Sequence, residues 1–512
     1  MVFSNNLLFG AAAASSGATP FDTTLIGNSV WLDGSADTLA KTFSSGSAQT
    51  KVVISTWVQR NSFGSVQDIF SATGGTGGAT RNNRFSFQAD DTIDIQVETT
   101  AVATIIYSTT RVFRDIGWYS VLVSIDQGSS ASDQARLYIN GEQVDITVTA
   151  GAGTFTAAMS SFGNAALHNV GSNGGTGTFL NGYQTQTTML VGQSIQNGDV
   201  AVTDFLDAFT FGTNGSQFAP KSDADIAALA STAGGNSFCL DFANSSDLGN
   251  DISSNNNDFS PTSMAAANQS TNTPSLVYPK ISNIGTPSGD TAANYTMGLG
   301  SNRMVYSGGN QVAKGLISPT LIQPDDPKIY WEYYVETGSV SGDGGRLGNG
   351  IAIANFNAGN GNGYFGAGGE SAFFYRGTLY DNGSASVSGF TTAQAGDIQQ
   401  MAFEPSTGKV WIGVEGTWRN GSGTDSTTLD INNHDDQLTV QDYIFIMGAS
   451  RSSDIGVMNF GDNPTMSGNI TAGGNADENG HGNFKYAVPS GFLAPNSANL
   501  TAPTYQGIDY VK

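Results

Sequence analysis

Apolar and polar residues alternate in short runs along this chain, and the clearest run covers residues 329–336. Its odd positions, from Ile329 to Val335, are apolar or aromatic, and Glu332 and Glu336 occupy even positions. A period of two in β-branched and aromatic residues predicts a strand with one face against a core. Trp331 is large enough to anchor one sheet against another, so we expect the C-terminal half to fold around this strand.

Similar runs recur about every ten residues from Ser29 onward, without a long helical period between them. Residues 51–60 are apolar on both parities, which indicates a central strand. Asn140-Gly141 follows another run and is a strong hairpin signal. The best helix candidate is 222–230, where Ser222 can cap the first turn. The pattern therefore predicts an all-β protein with one short helix.

The succession of strands is interrupted at one place, where the short helix and an Asn/Ser-rich segment follow one another. We interpret residues 216–289 as a connector between two domains, 21–215 and 290–495. Residues 1–20 contain no core of their own and are predicted to be a docking arm, and residues 496–512 are predicted to be a C-terminal tail.

Acidic residues outnumber basic ones, since 43 Asp and Glu against 20 Lys and Arg give a formal net charge of −23. This balance argues against nucleic acid and anionic membranes as partners, because both require clustered Lys and Arg. No apolar run approaches the ~20 residues that span a bilayer, and residues 1–14 lack the basic residues of a signal peptide. Cys239 is the only cysteine, so we expect no internal disulfide and a buried small hydrophobe at this position.

Three stretches of the N-terminal half resemble a known fold family when taken in order. Trp57 on its strand, Gly117-Trp118-Tyr119, and Leu137-Tyr138-Ile139-Asn140-Gly141 together resemble the laminin-G-like, concanavalin-A-type jelly roll. The resemblance covers roughly residues 21–215. It implies that residues 204–209 are the closing strand of the domain, where the chain ends pair.

The C-terminal half resembles the SPRY domain over roughly residues 290–465. Tyr330-Trp331-Glu332, Gly396-Asp397-Ile398 and Gly408-Lys409-Val410-Trp411 occur in that family's order. One departure is Glu415-Gly416, where the family usually has Asn-Gly. Because Glu adopts a positive φ less readily than Asn, we expect a looser hairpin or another turn type there. The predicted fold class is thus all-β, with two jelly-roll-like β-sandwich domains joined by a connector with one short helix.

The closing segment runs from Pro489-Ser490-Gly491-Phe492-Leu493 through Asn499-Leu500-Thr501-Ala502-Pro503, and the opening segment is Phe3-Ser4-Asn5-Asn6-Leu7-Leu8. Together they are similar to the ends of virion proteins of tailed bacteriophages, and phage proteins of that kind also join a laminin-G-like domain to a SPRY-like one. The resemblance implies a structural virion protein, such as a tail fibre or receptor-binding protein that contacts host-surface glycan or protein through sandwich loops. It also implies other virion proteins as partners and a homo-oligomer, fibres often being trimers. The alternative is a capsid-associated decoration or head-fibre protein. The predicted virion-docking residues are Phe3, Leu7, Leu8 and Phe9.

A third hypothesis is a polysaccharide-degrading enzyme on a jelly roll, and the motifs argue against it. Hydrolases of this fold carry Glu-x-Asp-x-x-Glu on one strand, and no such run is present. His168, His434 and His481 have no Cys or second His at ligand spacing, so no catalytic zinc is expected, and we interpret all three as exposed loop residues. The sequence also lacks a Gly-x-Ser-x-Gly elbow and a Gly-Lys-Ser phosphate loop. We therefore expect a protein that is not an enzyme.

We expect no cofactor, with one alternative left open. Laminin-G-like modules often hold Ca²⁺ at a sandwich rim through Asp side chains and carbonyl oxygens. No spacing selects a ligand set, and the carboxylates that could supply oxygens are those of Asp33, Asp37, Asp90, Asp91 and Asp94.

The candidate ligand-binding residues are aromatic and basic side chains in predicted loops. Tyr364 and Phe365 lie between glycines, and Tyr375 and Arg376 follow a pair of phenylalanines. Tyr183 after Asn-Gly is a similar candidate in the first domain. Rings in such loops can contact a sugar or a protein, while the alternative interpretation is that they belong to the cores.

Overall fold

The computed structural model describes residues 25–75, 82–101, 103–114, 116–151, 154–211, 215–281, 294–298, 302–308, 314–338, 347–354, 370–421, 425–449 and 451–501. The chain divides into a first unit, Phe21–Ser275, and a second unit, Leu276–Lys512. Several predicted functional residues lie outside the described residues, namely Phe3, Leu7, Leu8, Phe9, Tyr364 and Phe365.

The first unit is built almost wholly from strands. They are β1 (Ser29–Asp33), β2 (Thr38–Thr42), β3 (Lys51–Arg60), β4 (Gln67–Thr73), β5 (Asn82–Phe87), β6 (Ile93–Glu98), β7 (Thr104–Thr109), β8 (Trp118–Asp126), β9 (Ala135–Ile139), β10 (Glu142–Val144), β11 (Ile146–Ala150), β12 (Leu167–Val170), β13 (Asn181–Val191), β14 (Leu206–Phe211), β15 (Gly215–Pro220), β16 (Phe238–Leu240), β17 (Ser260–Thr262) and β18 (Gln269–Ser270). The predicted helix is confirmed as α1 (Asp223–Thr232). Ser222 caps it, because its Oγ accepts a hydrogen bond from the backbone N–H of Asp225 at 3.2 Å.

The second unit contains β19 (Tyr295–Gly298), β20 (Arg303–Tyr306), β21 (Lys314–Ile322), β22 (Ile329–Thr337), β23 (Gly348–Ile353), β24 (Ser371–Tyr375), β25 (Thr378–Asp381), β26 (Ser384–Val387), β27 (Ile398–Glu404), β28 (Lys409–Val414), β29 (Thr417–Trp418), β30 (Asp436–Gln437), β31 (Tyr443–Ala449) and β32 (Ile455–Asn459). The prediction of an all-β fold is confirmed. In the described part of the chain, no helix has the length and apolar character needed to cross a bilayer.

Two antiparallel sheets enclose the core of the first unit. Sheet I has the order β10-β9-β8-β3-β13-β1-β18, with β16 also paired to β13, and sheet II has the order β11-β7-β6-β5-β4-β12-β2-β17. Apolar side chains from both sheets form one cluster, in which Val58 and Val121 come from sheet I and Phe70 and Ile95 from sheet II. Trp57 is buried as well, but it does not belong to this shared cluster. It is adjacent to Val58 on β3, so its side chain lies on the opposite face of sheet I.

Residues 216–275 are part of the first sandwich, so the predicted connector at 216–289 is wrong over most of its length. β16 pairs with β13, β17 with β2, and β18 with β1. Phe238, Leu240 and Phe259 place their side chains in the core, and this burial holds the segment against the two sheets.

The predicted closing strand at residues 204–209 is also wrong. β14 pairs with β15 in a separate two-stranded sheet, and the strand that completes sheet I is β13, which lies between β3 and β1. β13 is longer and almost wholly buried, and it pairs with strands on both sides. β14 and β15 instead make their backbone hydrogen bonds within their own hairpin.

His168 is a core residue, which corrects the expectation of an exposed loop histidine at this position. It lies on β12 and is fully buried, with its ring 4.7 Å from that of Phe43. The backbone N–H of Gly163 donates to Nε2 at 3.0 Å, and Nδ1 donates to the carbonyl of Ala166 at 3.0 Å. These partners require the neutral ring, and burial lowers the pKa of His168 to about 4.

The second unit repeats the two-sheet plan. Sheet III has the order β19-β20-β32-β22-β27-β28-β29, with β30 paired to β28, and sheet IV has the order β21-β31-β23-β24-β25-β26. Trp331 on β22 is fully buried in the shared cluster, and its ring meets that of Phe445 edge-on at 5.2 Å. The strand predicted from alternation at 329–336 is therefore confirmed, and the core of the second unit forms around it.

The Glu415-Gly416 turn between β28 and β29 is neither loose nor of a different class. Both residues have positive φ, +49° and +76°, as a type I′ hairpin turn requires. The carboxylate of Glu415 accepts hydrogen bonds from the backbone N–H of Ile398 at 2.6 Å and from the hydroxyl of Tyr486 at 2.8 Å. These two bonds offset the cost of a left-handed Glu.

Candidate functional site

One face of sheet II is polar although the opposite face forms the core. On β6, Ile93, Ile95 and Val97 are buried in the first unit's cluster. Asp94 and Gln96 alternate with them and are half-buried. Because successive side chains of a strand point to opposite faces, these polar groups lie on the face of sheet II that looks away from the core.

The strand register aligns these polar side chains into rows across four strands. The central row runs through Ser71, Arg84, Gln96 and Ile106. Asn169 of β12 is paired with Ser71 and extends this row. A second row consists of Asp68, Ser86, Asp94 and Ser108. We call the surface formed by both rows together with Asn82 and Glu98 the polar face.

Arg84 is the only basic residue in these rows and links three strands. Its Nη1 donates to both carboxylate oxygens of Asp68 on β4 at 3.4 Å, and its Nε donates to Oε1 of Gln96 on β6 at 3.3 Å. The Asp68 side chain is fully buried, whereas that of Arg84 keeps 23% of its surface exposed. Burial raises the pKa of Asp68 to about 6, against the lowering effect of Arg84.

Gln96, Asn82 and Asp94 of the polar face are also held by their neighbours. Gln96 donates from Nε2 to Oε1 of Glu98 at 3.0 Å, and the backbone N–H of Asn82 donates to Oε2 of Glu98 at 3.1 Å. Burial raises the pKa of Asp94, while its hydrogen bond with Ser108 lowers it. The polar face therefore offers one guanidinium, several carboxylates and several amides in fixed positions, with strands about 4.8 Å apart.

The sequence-predicted binding residues that the structure describes do not lie on the polar face. Tyr183 is buried on β13, with its ring 5.0 Å from Trp31 and 6.1 Å from Trp118, so it is a core residue of the first unit. Tyr375 and Arg376 are half-buried at the β24–β25 hairpin of the second unit. There the Arg376 guanidinium lies 5.8 Å from the centre of the Tyr375 ring.

The carboxylates considered for calcium have protein partners. Asp91 forms ion pairs with Arg60 at 3.1 Å and with Arg114 at 2.7 Å. Asp37 accepts from Nδ2 of Asn268 at 2.9 Å, and burial together with the nearby Asp33 raises its pKa to about 7. No group of three or more His, Cys, Asp or Glu is placed to hold a metal ion among the described residues.

Sequence reasoning missed the polar face because it searched the loops for exposed rings. The signal was present in Asp94-Ile95-Gln96-Val97-Glu98, where each polar position of the alternating strand carries a carboxylate or an amide. Polar residues on one parity of an alternating strand are typical of any sheet face that looks away from a core, so this pattern predicts an outward polar face but does not identify a binding site.

Comparison with known proteins places the first unit in a fold group. Residues 33–200 match the Laminin_G_3 family model, described as the concanavalin A-like lectin/glucanases superfamily. No curated protein matches the chain. Similar solved structures include domains LG4-5 of the mouse laminin α1 chain, with 10% identity and a TM-score of 0.27 over 84% of this chain and 87% of that one.

Two further solved structures each match about a third of this chain. The heptameric SAP-like pentraxin from Limulus polyphemus has 12% identity and a TM-score of 0.26 over 38% of this chain and 96% of that one. The SPRY domain of human HERC1 has 14% identity and a TM-score of 0.22 over 31% of this chain and 87% of that one. The chain is thus an all-β protein similar to laminin G-like, concanavalin A-like domains over residues 33–200.

Proposed function

We propose that this protein is a non-enzymatic adhesin of a tailed-phage virion that binds a host-surface glycan on the polar face. The observation that carries the proposal is the central row, in which Arg84 and Gln96 are aligned across neighbouring strands and hydrogen-bonded to each other. The match of residues 33–200 to a superfamily that includes lectins supports a binding role for the same sheets.

Sugar hydroxyls are the ligand groups that best fit the polar face. Each hydroxyl both donates and accepts, and the polar face combines the donors of Arg84 with the acceptors of Asp94 and Glu98. These side chains are already held by neighbouring strands, so binding orders few new rotamers. They are half-buried rather than fully covered, which leaves polar atoms accessible to a ligand.

The spacing of the carboxylates supports binding without hydrolysis. Glycosidases place two carboxyl groups about 5–9.5 Å apart on either side of the scissile bond. Asp94 and Glu98 are four positions apart on one strand, which puts their Cα atoms about 13 Å apart. Asp68 is buried and paired with Arg84, so it is poorly placed to approach a sugar.

A place on the virion is supported by the similarity of both chain ends to phage virion proteins and by the acidic composition, which keeps neighbouring particles apart. Residues 1–20 are then the docking arm. The alternative placement is a capsid-associated decoration or head-fibre protein. Gold-labelled antibodies on intact particles distinguish the two, because a tail fibre is labelled at the tail and a decoration protein over the head.

We also propose that the protein forms a homo-oligomer through the edge of sheet II. β11 is the outermost strand of that sheet, and four of its five residues are exposed and uncharged. The edges β10 and β17 carry Glu142 and Pro261, which disfavour pairing with another strand. An antiparallel copy of β11 centred on Val148 would set Thr147 opposite Thr149 and would avoid any like-charge contact.

A glycan array tests the binding function directly. We expect the full chain to bind a subset of bacterial surface glycans and Arg84→Ala to lose at least about tenfold in affinity, because a charge-assisted donor is removed. Gln143→Ala, which changes an exposed amide of sheet I, is the matched control and should bind normally. Equal binding by the Arg84 variant would refute the polar face as the site. Release of reducing ends from a bound polysaccharide would refute the non-enzymatic role.

A further inference from the structure

The Asn169 carboxamide is fully buried without a partner. Within the part of the chain that the structure describes, neither its Nδ2 nor its Oδ1 makes a hydrogen bond. Native proteins pair nearly all buried amides, because an unpaired one loses its hydration and gains nothing in return. A buried amide without a protein partner therefore requires either an ordered water or a ligand to complete its hydrogen bonds.

Asn169 faces the polar face rather than the core. Its chain neighbours His168 and Val170 direct their side chains into the first unit's core, so the alternation of β12 turns Asn169 to the opposite side. It is paired there with Ala40 on one side and Ser71 on the other. Arg84 follows Ser71 in the same row, so Asn169 continues the central row of the polar face.

A turn rich in glycine covers this carboxamide. A Cβ atom added to Gly175 would lie 3.5 Å from Oδ1 of Asn169, so the backbone of Gly175 adjoins the amide. Gly174 and Gly175 both have positive φ, +61° and +70°, a conformation that glycine adopts without strain. Thr176, at the tip of the turn, is exposed.

The turn is fastened at its base more firmly than at its tip. Ser71 donates from Oγ to the carbonyl of Ser172 at 2.7 Å, and Asn82 donates from Nδ2 to Oδ1 of Asn173 at 2.9 Å. Nearer the tip, the backbone N–H of Gly174 reaches Oγ of Ser71 only at 3.4 Å. Within the turn, the backbone N–H of Thr176 donates to the carbonyl of Asn173 at 3.2 Å, and that of Asn173 donates to the carbonyl of Gly177 at 3.0 Å. Uncovering Asn169 therefore requires the Gly174–Ser71 and Thr176–Asn173 hydrogen bonds to open while the bonds of Ser172 and Asn173 to β4 and β5 remain.

We propose that Asn169 is a second subsite of the polar face, covered by the glycine turn 171–177 in the free protein and opened by a neutral sugar unit. The proposal rests on the glycan-binding function above. The sugar would donate one hydroxyl to Oδ1 and accept at another from Nδ2. Asn169 lies two strands from Arg84, about 10 Å away, so only a glycan of two or more units reaches both. A neutral unit fits because Asn169, Ala40 and Ser71 carry no charge.

The test compares the full-length wild type with Asn169→Leu, which keeps the shape of the side chain without its polar atoms. The probe is the glycan that the wild type binds on the array, together with its mono- to tetrasaccharide fragments, measured by calorimetry. We expect Asn169→Leu to weaken the tetrasaccharide by about fivefold or more and to leave the monosaccharide unchanged. We also expect its melting temperature to rise by about 2 °C, since an unpaired buried amide has been removed. Asn169→Ala should show the same loss of affinity, and Gln143→Ala should show neither effect.

Three results would overturn the proposal. Unchanged tetrasaccharide affinity in both Asn169 variants, with binding still lost in Arg84→Ala, refutes the subsite and leaves the proposed function intact. A lower melting temperature in Asn169→Leu and Asn169→Ala means that the amide is satisfied structurally, for example by a buried water. A wild type that binds no glycan refutes the subsite and the proposed function together.

Discussion

The indole Nε1 of Trp331 donates a hydrogen bond to Oδ1 of Asn349 at 2.7 Å, across the two sheets of the second unit. Asn349 in turn donates from Nδ2 to Oε1 of Gln399 at 2.9 Å. Trp331 and Gln399 belong to sheet III and Asn349 to sheet IV. All three are buried, so this chain of hydrogen bonds fixes the register of one sheet against the other.

Asn349→Ala should destabilise the second unit by about 2–4 kcal/mol, because it leaves the indole N–H of Trp331 and the Gln399 amide buried without a partner. Urea unfolding followed by tryptophan fluorescence measures the change. Ser388→Ala, at an exposed position of the same unit, should be neutral. A loss below about 0.5 kcal/mol in Asn349→Ala would show that the bridge contributes nothing.

His168 should make the first unit sensitive to acid. Its folded pKa of about 4 lies below the ordinary value of 6.5, so the unfolded chain binds the proton more readily. The stability contributed by neutral His168 is full above pH 6.5 and is lost as the pH falls towards 4, by about 3 kcal/mol in total. His168→Phe lacks this ionisation. The free energy of unfolding of the wild type minus that of the variant should therefore fall by that amount from pH 7 to pH 4. A difference that stays constant with pH would contradict the neutral, buried ring.

Arg84 should stabilise the first unit more strongly where Asp68 is ionised. With the pKa of Asp68 raised to about 6, Arg84→Ala should cost about 1–3 kcal/mol at pH 8 and less at pH 5, where Asp68 is protonated in the folded state. Arg136→Ala breaks the partly exposed pair with Asp133 and should cost below about 1 kcal/mol at either pH. An Arg84 effect that is as large at pH 5 as at pH 8 would exclude the ion pair as its cause.

Val148→Lys should dissociate the proposed oligomer into monomers, because a charge on β11 disfavours strand pairing between copies. Because this two-fold pairing closes with two copies, light scattering after size exclusion should give twice 53.1 kDa for the wild type and the monomer mass for this variant. Val440→Lys is the matched control, since Val440 is 48% exposed but lies outside the strands. A monomeric wild type, or dissociation by both variants alike, would exclude assembly through β11.

The sequence predicts those elements whose signal lies in several consecutive residues. The alternation around Trp331 and the cap at Ser222 each depend on neighbouring residues, and both are confirmed. The strands β16 to β18 have two or three residues each, too short to show a period. Their partners are far away in sequence, as in the pairing of Ser29 with Ser270, so the segment was interpreted as a connector.

The candidate site shows the same limit. The parity of Asp94 and Gln96 could be read from β6 alone, but the alignment of Gln96 with Arg84 depends on a strand register that no local pattern specifies. The burial of Asn169 depends in turn on a glycine turn that comes after it in the chain. Gly/Asn-rich surroundings predict a loop, but His168 lies on the core strand β12 although such residues surround it.

Methyl NMR of the full chain during titration with its glycan tests the central claim most directly. Ile106 lies half-buried in the central row of the polar face, while its neighbour Ile105 is fully buried on the core face of the same strand. The polar face predicts a ligand-dependent shift of the Ile106 methyl resonance with Ile105 unchanged. An unchanged Ile106, with shifts confined to isoleucines of the second unit such as Ile353, would contradict it.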